Sequence, residues 1–186
     1  MMSSCETSNA IQSSQMNSWG RLRRAGVAGL IIWLLLMPAL TRPADAALRI
    51  GDILPSSTLL GVNGAPVRIP EALKGKVVIL HFWQIGCSSC KLEIPAMDVL
   101  YRKYRGKGLE ILAVNVGQKK ESVKIFAAEL RVSYPILIDS EGKSAAVYGV
   151  TDIPRTYVID RSGVIRYRIF GGATQEMLKK LVLSLL

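Results

Sequence analysis

Val77-Val78-Ile79-Leu80-His81-Phe82-Trp83 runs through Gln84-Ile85-Gly86 into Cys87-Ser88-Ser89-Cys90, and this stretch decides the architecture. The first seven residues are a nearly continuous apolar run rich in β-branched and aromatic side chains, which suits a central strand covered on both faces. From Ser88 to about Arg105, Leu92, Ile94, Met97, Leu100, Tyr101 and Tyr104 recur mainly at helical spacing with charges between them. A helix therefore starts at the cysteine pair, with those residues expected to face inward.

Working outward, residues 58–69 read as two short strands around Asn63-Gly64, the strongest short-range hairpin signal. Downstream, Leu109 to Val116 is a second buried strand, Ser122 to Leu130 a helix, and Ile136-Leu137-Ile138 a third strand. Arg155 to Ile159 and Val164 to Phe170 form a hairpin about Asp160-Arg161-Ser162-Gly163. A closing amphipathic helix from about Thr174 is expected to turn Met177, Leu178, Leu181, Val182 and Leu185 inward. Parallel strand–helix–strand units followed by an antiparallel hairpin imply one mixed α/β sheet with helices on both faces and an N-terminal β-hairpin extension.

The chain has 186 residues, 49% of them hydrophobic and 20% charged, with no repeat or low-complexity segment. Residues 1–46 read as a targeting segment. Arg21, Arg23 and Arg24 precede an uncharged apolar run from Ala25 to Thr41, and Ala44-Asp45-Ala46 supplies the small residues of a cleavage site. That run is longer than the roughly 7–15 residues of a signal core and shorter than the roughly 20 of a spanning helix. Cleavage after Ala46 and retention as an anchor both remain open, as does initiation at Met1, Met2 or Met16. On either reading the arginines stay inside and residues 47–186, enough for one domain, are exported to the periplasm or the outer face of the cytoplasmic membrane.

Of three cysteines, Cys5 lies upstream of the apolar run, leaving Cys87 and Cys90 for the exported domain. A disulfide-stapled fold would scatter more cysteines, and a structural zinc needs four ligands, for which two thiols and His81 do not suffice. Redox chemistry is the reading left. It needs no cofactor beyond a Cys87–Cys90 disulfide and no metal. Nucleic acid is not an expected partner for an exported chain, despite the net charge of +10. Spread along the sequence, that charge reads as solvated faces beside anionic lipid or as steering of acidic protein substrates.

Thiol–disulfide exchange requires a thiolate that attacks a substrate disulfide and a second thiol near enough to resolve the mixed disulfide. The free N–H groups and dipole of a helix start stabilise a negative sulfur, so Cys87 is the expected nucleophile. Cys90, one turn further in, is the expected resolving cysteine.

Several motifs make the chain resemble the TlpA-like and ResA-like exported thioredoxins of bacteria, which include the reductants of cytochrome c maturation. They are Leu73-Lys74-Gly75-Lys76-Val77-Val78, Phe82-Trp83, Cys87 to Pro95, and Asp152-Ile153-Pro154-Arg155-Thr156-Tyr157-Val158-Ile159-Asp160-Arg161-Ser162-Gly163, together with the N-terminal hairpin. The resemblance runs from about Ile50 to the C-terminus. It implies the thioredoxin fold and an exported thiol:disulfide oxidoreductase acting on extracytoplasmic protein disulfides, such as those of apocytochrome c, and recharged by a membrane thiol-carrier. It also implies a cis Ile153–Pro154 bond beside the cysteines, leaving the Ile153 backbone free to pair with an extended substrate, against the alternative of an ordinary trans loop proline. Pro95 matches the family's kink in the active-site helix.

The resemblance further places at Glu93 an acid that tunes the cysteines, against the alternative of a surface helix glutamate. Trp83 precedes the motif as in the family and is read as packing beside the substrate-binding region. Three departures stand out. Gly86 occupies the place of the tryptophan usual before the first cysteine, Ser88-Ser89 gives no indication of redox potential, and His81 stands where cytoplasmic thioredoxins carry a buried relay carboxylate. His81 is expected to lie buried behind the motif, either within relay distance of Cys90 or as a core histidine bonded to backbone. A thiol peroxidase and a copper chaperone of the same fold are the alternative functions; the first wants a lone peroxidatic cysteine and the second a later-loop histidine that the sequence lacks.

Overall fold

The computed structural model describes residues 48–186; the expected signal or anchor segment lies outside the described residues. Seven strands form one mixed sheet in the order β2-β1-β5-β4-β3-β6-β7. They are β1 (Ser57–Gly61), β2 (Pro66–Ile69), β3 (Val77–Trp83), β4 (Leu109–Val116), β5 (Ile136–Asp139), β6 (Arg155–Ile159) and β7 (Ile165–Phe170). Strands β3, β4 and β5 run parallel, while β6 and β7 extend one side antiparallel. The N-terminal hairpin joins the other side through β1, antiparallel to β5. All seven residues of β3 are buried, as its apolar run requires.

Four α-helices cover the sheet: α1 (Ser88–Tyr104), α2 (Lys120–Leu130), α3 (Lys143–Val147) and α4 (Gln175–Leu183). Val77, Ile79 and Trp83 face a core shared with Ile94, Met97 and Leu100 of α1, Val123 of α2 and Leu178 and Val182 of α4. Val78, Leu80 and Phe82 face the other way, onto Ala145 of α3, Tyr148 and Tyr157. The five-residue α3 and the 3-10 turn Glu71–Leu73 were not anticipated from the sequence.

Two inward expectations fail. Leu92 is 77% exposed and Met177 43% exposed. On α1 the buried positions are Cys90, Glu93, Ile94, Met97, Asp98, Leu100 and Tyr104, so the helix is rotated to bury the carboxylate at 93 rather than the leucine beside it. On α4 the stripe narrows to Leu178 and Val182, with Leu181 and Leu185 at its margin.

Candidate active site

Chain direction brings the cysteines to the C-terminal end of β3. There Cys87 is the N-cap of α1, and its sulfur accepts the Cys90 N–H at 3.2 Å. This contact satisfies one of the donors a helix start leaves unpaired and favours negative charge on that sulfur. The Ser89 hydroxyl lies 3.4 Å from the same sulfur. Cys87 and Cys90 are joined as a disulfide with Cα atoms 5.3 Å apart. Cys90 is fully buried and Cys87 half-buried, so only Cys87 is open to a partner molecule.

The approach to Cys87 is held by side-chain amides that the sequence reading did not single out. Gln118 accepts the Ile85 N–H at 2.7 Å and the Asn115 amide at 2.8 Å, and its own NH2 donates to the Ile85 carbonyl at 3.3 Å. Gln84 donates to the Val116 carbonyl at 3.1 Å. Pairing of β3 with β4 ends at Trp83 and Asn115. The Gln118 amide then acts as one more strand residue, fixing the loop up to Gly86, whose φ of 94° turns the chain into the helix.

Behind the motif lies a buried polar cluster. His81 has no exposed surface; its Nδ1 is 2.9 Å from the Thr156 hydroxyl and 3.8 Å from Glu93 Oε2. The backbone-bonded alternative for His81 is thus replaced by a side-chain partner on the neighbouring strand, where His81 and Thr156 are in register. Glu93 is 5% exposed, which removes the surface-glutamate alternative. Its Oε1 accepts the Ala173 N–H at 3.0 Å. Burial pushes the Glu93 carboxyl up to about 7 against the pull of that N–H, and burial pushes His81 down to about 3. Both groups are therefore held toward their neutral forms. Gly172 makes the close approach possible: a Cβ there would stand 2.9 Å from Glu93 Oε1 and 3.4 Å from the Ser89 Cβ. Gly172 and Ala173 lie in no motif, and Thr156 lies inside the Asp152–Gly163 motif without being marked by it; sheet register and the β7–α4 loop bring all three here.

Ile153–Pro154 is cis, as the resemblance implied, and Ile69–Pro70 is a second cis bond. Because Arg155 pairs with Phe82 in β6, Pro154 falls at the same sheet end as Trp83 and the motif. The Pro154 carbonyl accepts the Gly171 N–H at 3.0 Å. Arg155 is buried, stacked 3.6 Å above the Phe170 ring and bonded to Asp152 at 3.3 Å. Trp83 is wholly buried against Phe126, with ring centroids 5.7 Å apart. It backs a groove of about 320 Å³ lined also by Gly86, Cys87, Lys91 and Ile94. A second groove, of about 350 Å³, runs past Ser89, Leu92, Glu93 and Gly172 on the other side of α1. No group of three or more His, Cys, Asp or Glu side chains among the described residues is placed to hold a metal ion.

Comparison with known proteins agrees with this geometry. Residues 50–168 match the AhpC/TSA family. The thiol-disulfide oxidoreductase ResA of Geobacillus thermodenitrificans is 36% identical over 157 residues, covering 81% of this chain and 90% of that protein. ResA of Bacillus subtilis is 34% identical over 128 residues, covering 69% of this chain and 71% of its own length. A crystal structure from Chlorobium tepidum, described as a thiol:disulfide interchange protein DsbE, superposes with a TM-score of 0.69 at 30% identity, over 74% of this chain and 97% of that one. With its dithiol at a helix start on a thioredoxin-like sheet, this chain belongs to the AhpC/TSA family as a thiol:disulfide oxidoreductase of the ResA-like kind.

Proposed function

We propose that the chain reduces disulfides of extracytoplasmic proteins, apocytochrome c among them, in the periplasm or on the outer face of the cytoplasmic membrane. The observation that carries this reading is the asymmetry of the cysteine pair: an accessible sulfur at the helix N-cap and a buried one a turn behind it. In the reduced protein the Cys87 thiolate attacks a substrate sulfur, forming a mixed disulfide and releasing one substrate thiol. Cys90 then gives up its proton and attacks the Cys87 sulfur, releasing the second substrate thiol and leaving the Cys87–Cys90 disulfide. Two electrons pass to the substrate, and a membrane thiol-carrier returns them.

Glu93 is the group suited to exchange the Cys90 proton, since its carboxyl titrates at about 7 and it lies one turn further along α1. His81, held low by burial, acts through Glu93 as a positioning residue. An extended substrate pairs with the Ile153 backbone beside Pro154, and Trp83 supports the groove next to Cys87.

Cys90→Ser should trap mixed disulfides through Cys87, while Cys87→Ser should trap almost none; equal trapping by the two variants overturns the assignment. A redox titration of the couple tests direction. A value near about −270 mV fits a reductant, and one near about −120 mV, typical of a strong oxidant, overturns the reductant reading.

A further inference from the structure

The sheet end opposite the dithiol has a composition of its own. Arg161, in the β6–β7 turn, donates to the carbonyls of Gly75 at 3.2 Å, Lys107 at 3.2 Å and Leu186 at 2.9 Å, so these segments converge at one place. The described chain enters there as well: the Gly51 N–H donates to the Ile165 carbonyl at 2.9 Å and the Leu54 N–H to the Gly163 carbonyl at 3.0 Å.

Two large aliphatic side chains stand in solvent at this entry, Ile50 at 64% and Ile53 at 70% exposure. Ile53 shares an apolar groove of about 120 Å³ with Leu73 and Lys74. Arg49, Lys74, Arg105 and Lys107 are exposed, and among the described residues none of them has a salt-bridge partner. Of the neighbouring acids, Glu110 is paired with Lys76 at 2.7 Å and Asp160 with Arg166 at 2.6 Å. The exposed Asp52 accepts the Arg49 N–H and, like the exposed Glu71, has no salt-bridge partner among the described residues, so cations still outnumber free acids here.

We propose that this end docks reversibly on an anionic lipid surface, with Ile50 and Ile53 entering the interface and the four cations meeting headgroup charge; the docked domain presents the dithiol to substrates and leaves the surface to be recharged by the membrane thiol-carrier. Exposed aliphatics at the same end as cations without salt-bridge partners are what interfacial binding requires: buried apolar area supplies depth and the cations supply preference for negative lipid. The sequence adds a reason for that occupant, since the apolar run Ala25 to Thr41 lies only a few residues before Leu48. This inference rests on the extracytoplasmic reading above.

The full-length chain is reconstituted in vesicles of phosphatidylcholine alone or mixed with phosphatidylglycerol and labelled with a water-soluble amine-reactive reagent. Mass spectrometry reads each lysine. Labelling of Lys74 and Lys107, relative to Lys91 and Lys120, should fall about fivefold in the anionic vesicles and recover in high salt. Arg105→Glu combined with Lys107→Glu should restore labelling at Lys74. Equal ratios in the two vesicle types, or equal protection of Lys91 beside the motif, overturns the docking surface. Disulfide exchange by the same protein in detergent reports on the dithiol separately, so failure of the functional reading appears there and not in the labelling.

Discussion

The two faces of β3 come from one run of seven residues yet treat polar groups differently. On the α3 side, Phe82 packs against Tyr148 and Tyr157, and both hydroxyls are bonded: Tyr148 donates to the Pro55 carbonyl at 2.9 Å and Tyr157 to the Tyr148 carbonyl at 2.6 Å. On the α1 side, His81 Nε2, Trp83 Nε1, Glu93 Oε2 and Asn115 Oδ1 are buried without a hydrogen-bond partner, whereas the α3 side carries two such atoms among the described residues, Arg155 Nε and Arg168 Nε, on β6 and β7 away from the tyrosines' hydroxyls. Each such group costs on the order of 1–3 kcal/mol. The α3 face thus pairs the hydroxyls packed on β3, while the α1 face concentrates that cost beside the dithiol, where neutral, desolvated groups can exchange protons.

The largest expected effect tests the α3 face. Phe82→Ala should cost about 3–5 kcal/mol of folding stability, read by urea denaturation, with disulfide exchange per folded molecule unchanged. Loss of exchange in a folded variant would break the division between the faces.

Next comes a pH signature of the other face. Glu93 has its carboxyl raised from 4.5 to about 7, so the folded chain keeps a proton that the unfolded chain releases, and stability falls as pH rises through that window. His81 is lowered from 6.5 to about 3, so the unfolded chain takes a proton that the folded chain refuses, and stability falls as pH drops through that window. Between 4.5 and 6.5 the two slopes oppose each other, and the native protein should show little dependence from this pair. Glu93→Gln should leave stability rising with pH there by up to about 1.4 kcal/mol per unit, and His81→Asn should leave it falling by a similar amount. Denaturation midpoints across the window decide the matter; slopes of the same sign in both variants would mean that the two groups do not titrate as an opposed pair.

The smallest effect concerns Gln118. Replacing it with Ala removes the bonds to Ile85 and should cost about 1 kcal/mol, with a slower first attack by Cys87 in a stopped-flow assay and little change in resolution by Cys90. An unchanged rate of attack would show that the loop before the motif holds its shape without the amide.

Strands, the long helix and the order of the cysteines were legible because each rests on local periodicity or on a signal within a few residues. β3 and β4 end at the residues the pattern indicated. The environment of Glu93 was not legible, because its neighbours come from β3 and the β7–α4 loop and meet it only after the sheet closes. Leu92 misled for a related reason: helical spacing marks a stripe but cannot tell which edge a buried carboxylate will claim. Helix α3 has too few turns to show a period, and Gln118 reads as an ordinary loop residue until its amide is seen on Ile85.

Gly86 limits how this protein's choice of partners can change. Nothing lies within 4 Å of where a Cβ would stand, so crowding would not oppose even a large side chain. The opposition is torsional: at φ 94° an ordinary L-residue carries a penalty of about 1–2 kcal/mol, and a β-branched or bulky one fits worst. A wider recognition platform beside Cys87 is therefore reached by a single replacement at this site only at a cost in stability, and without that cost through a loop of different length or course between Trp83 and Cys87.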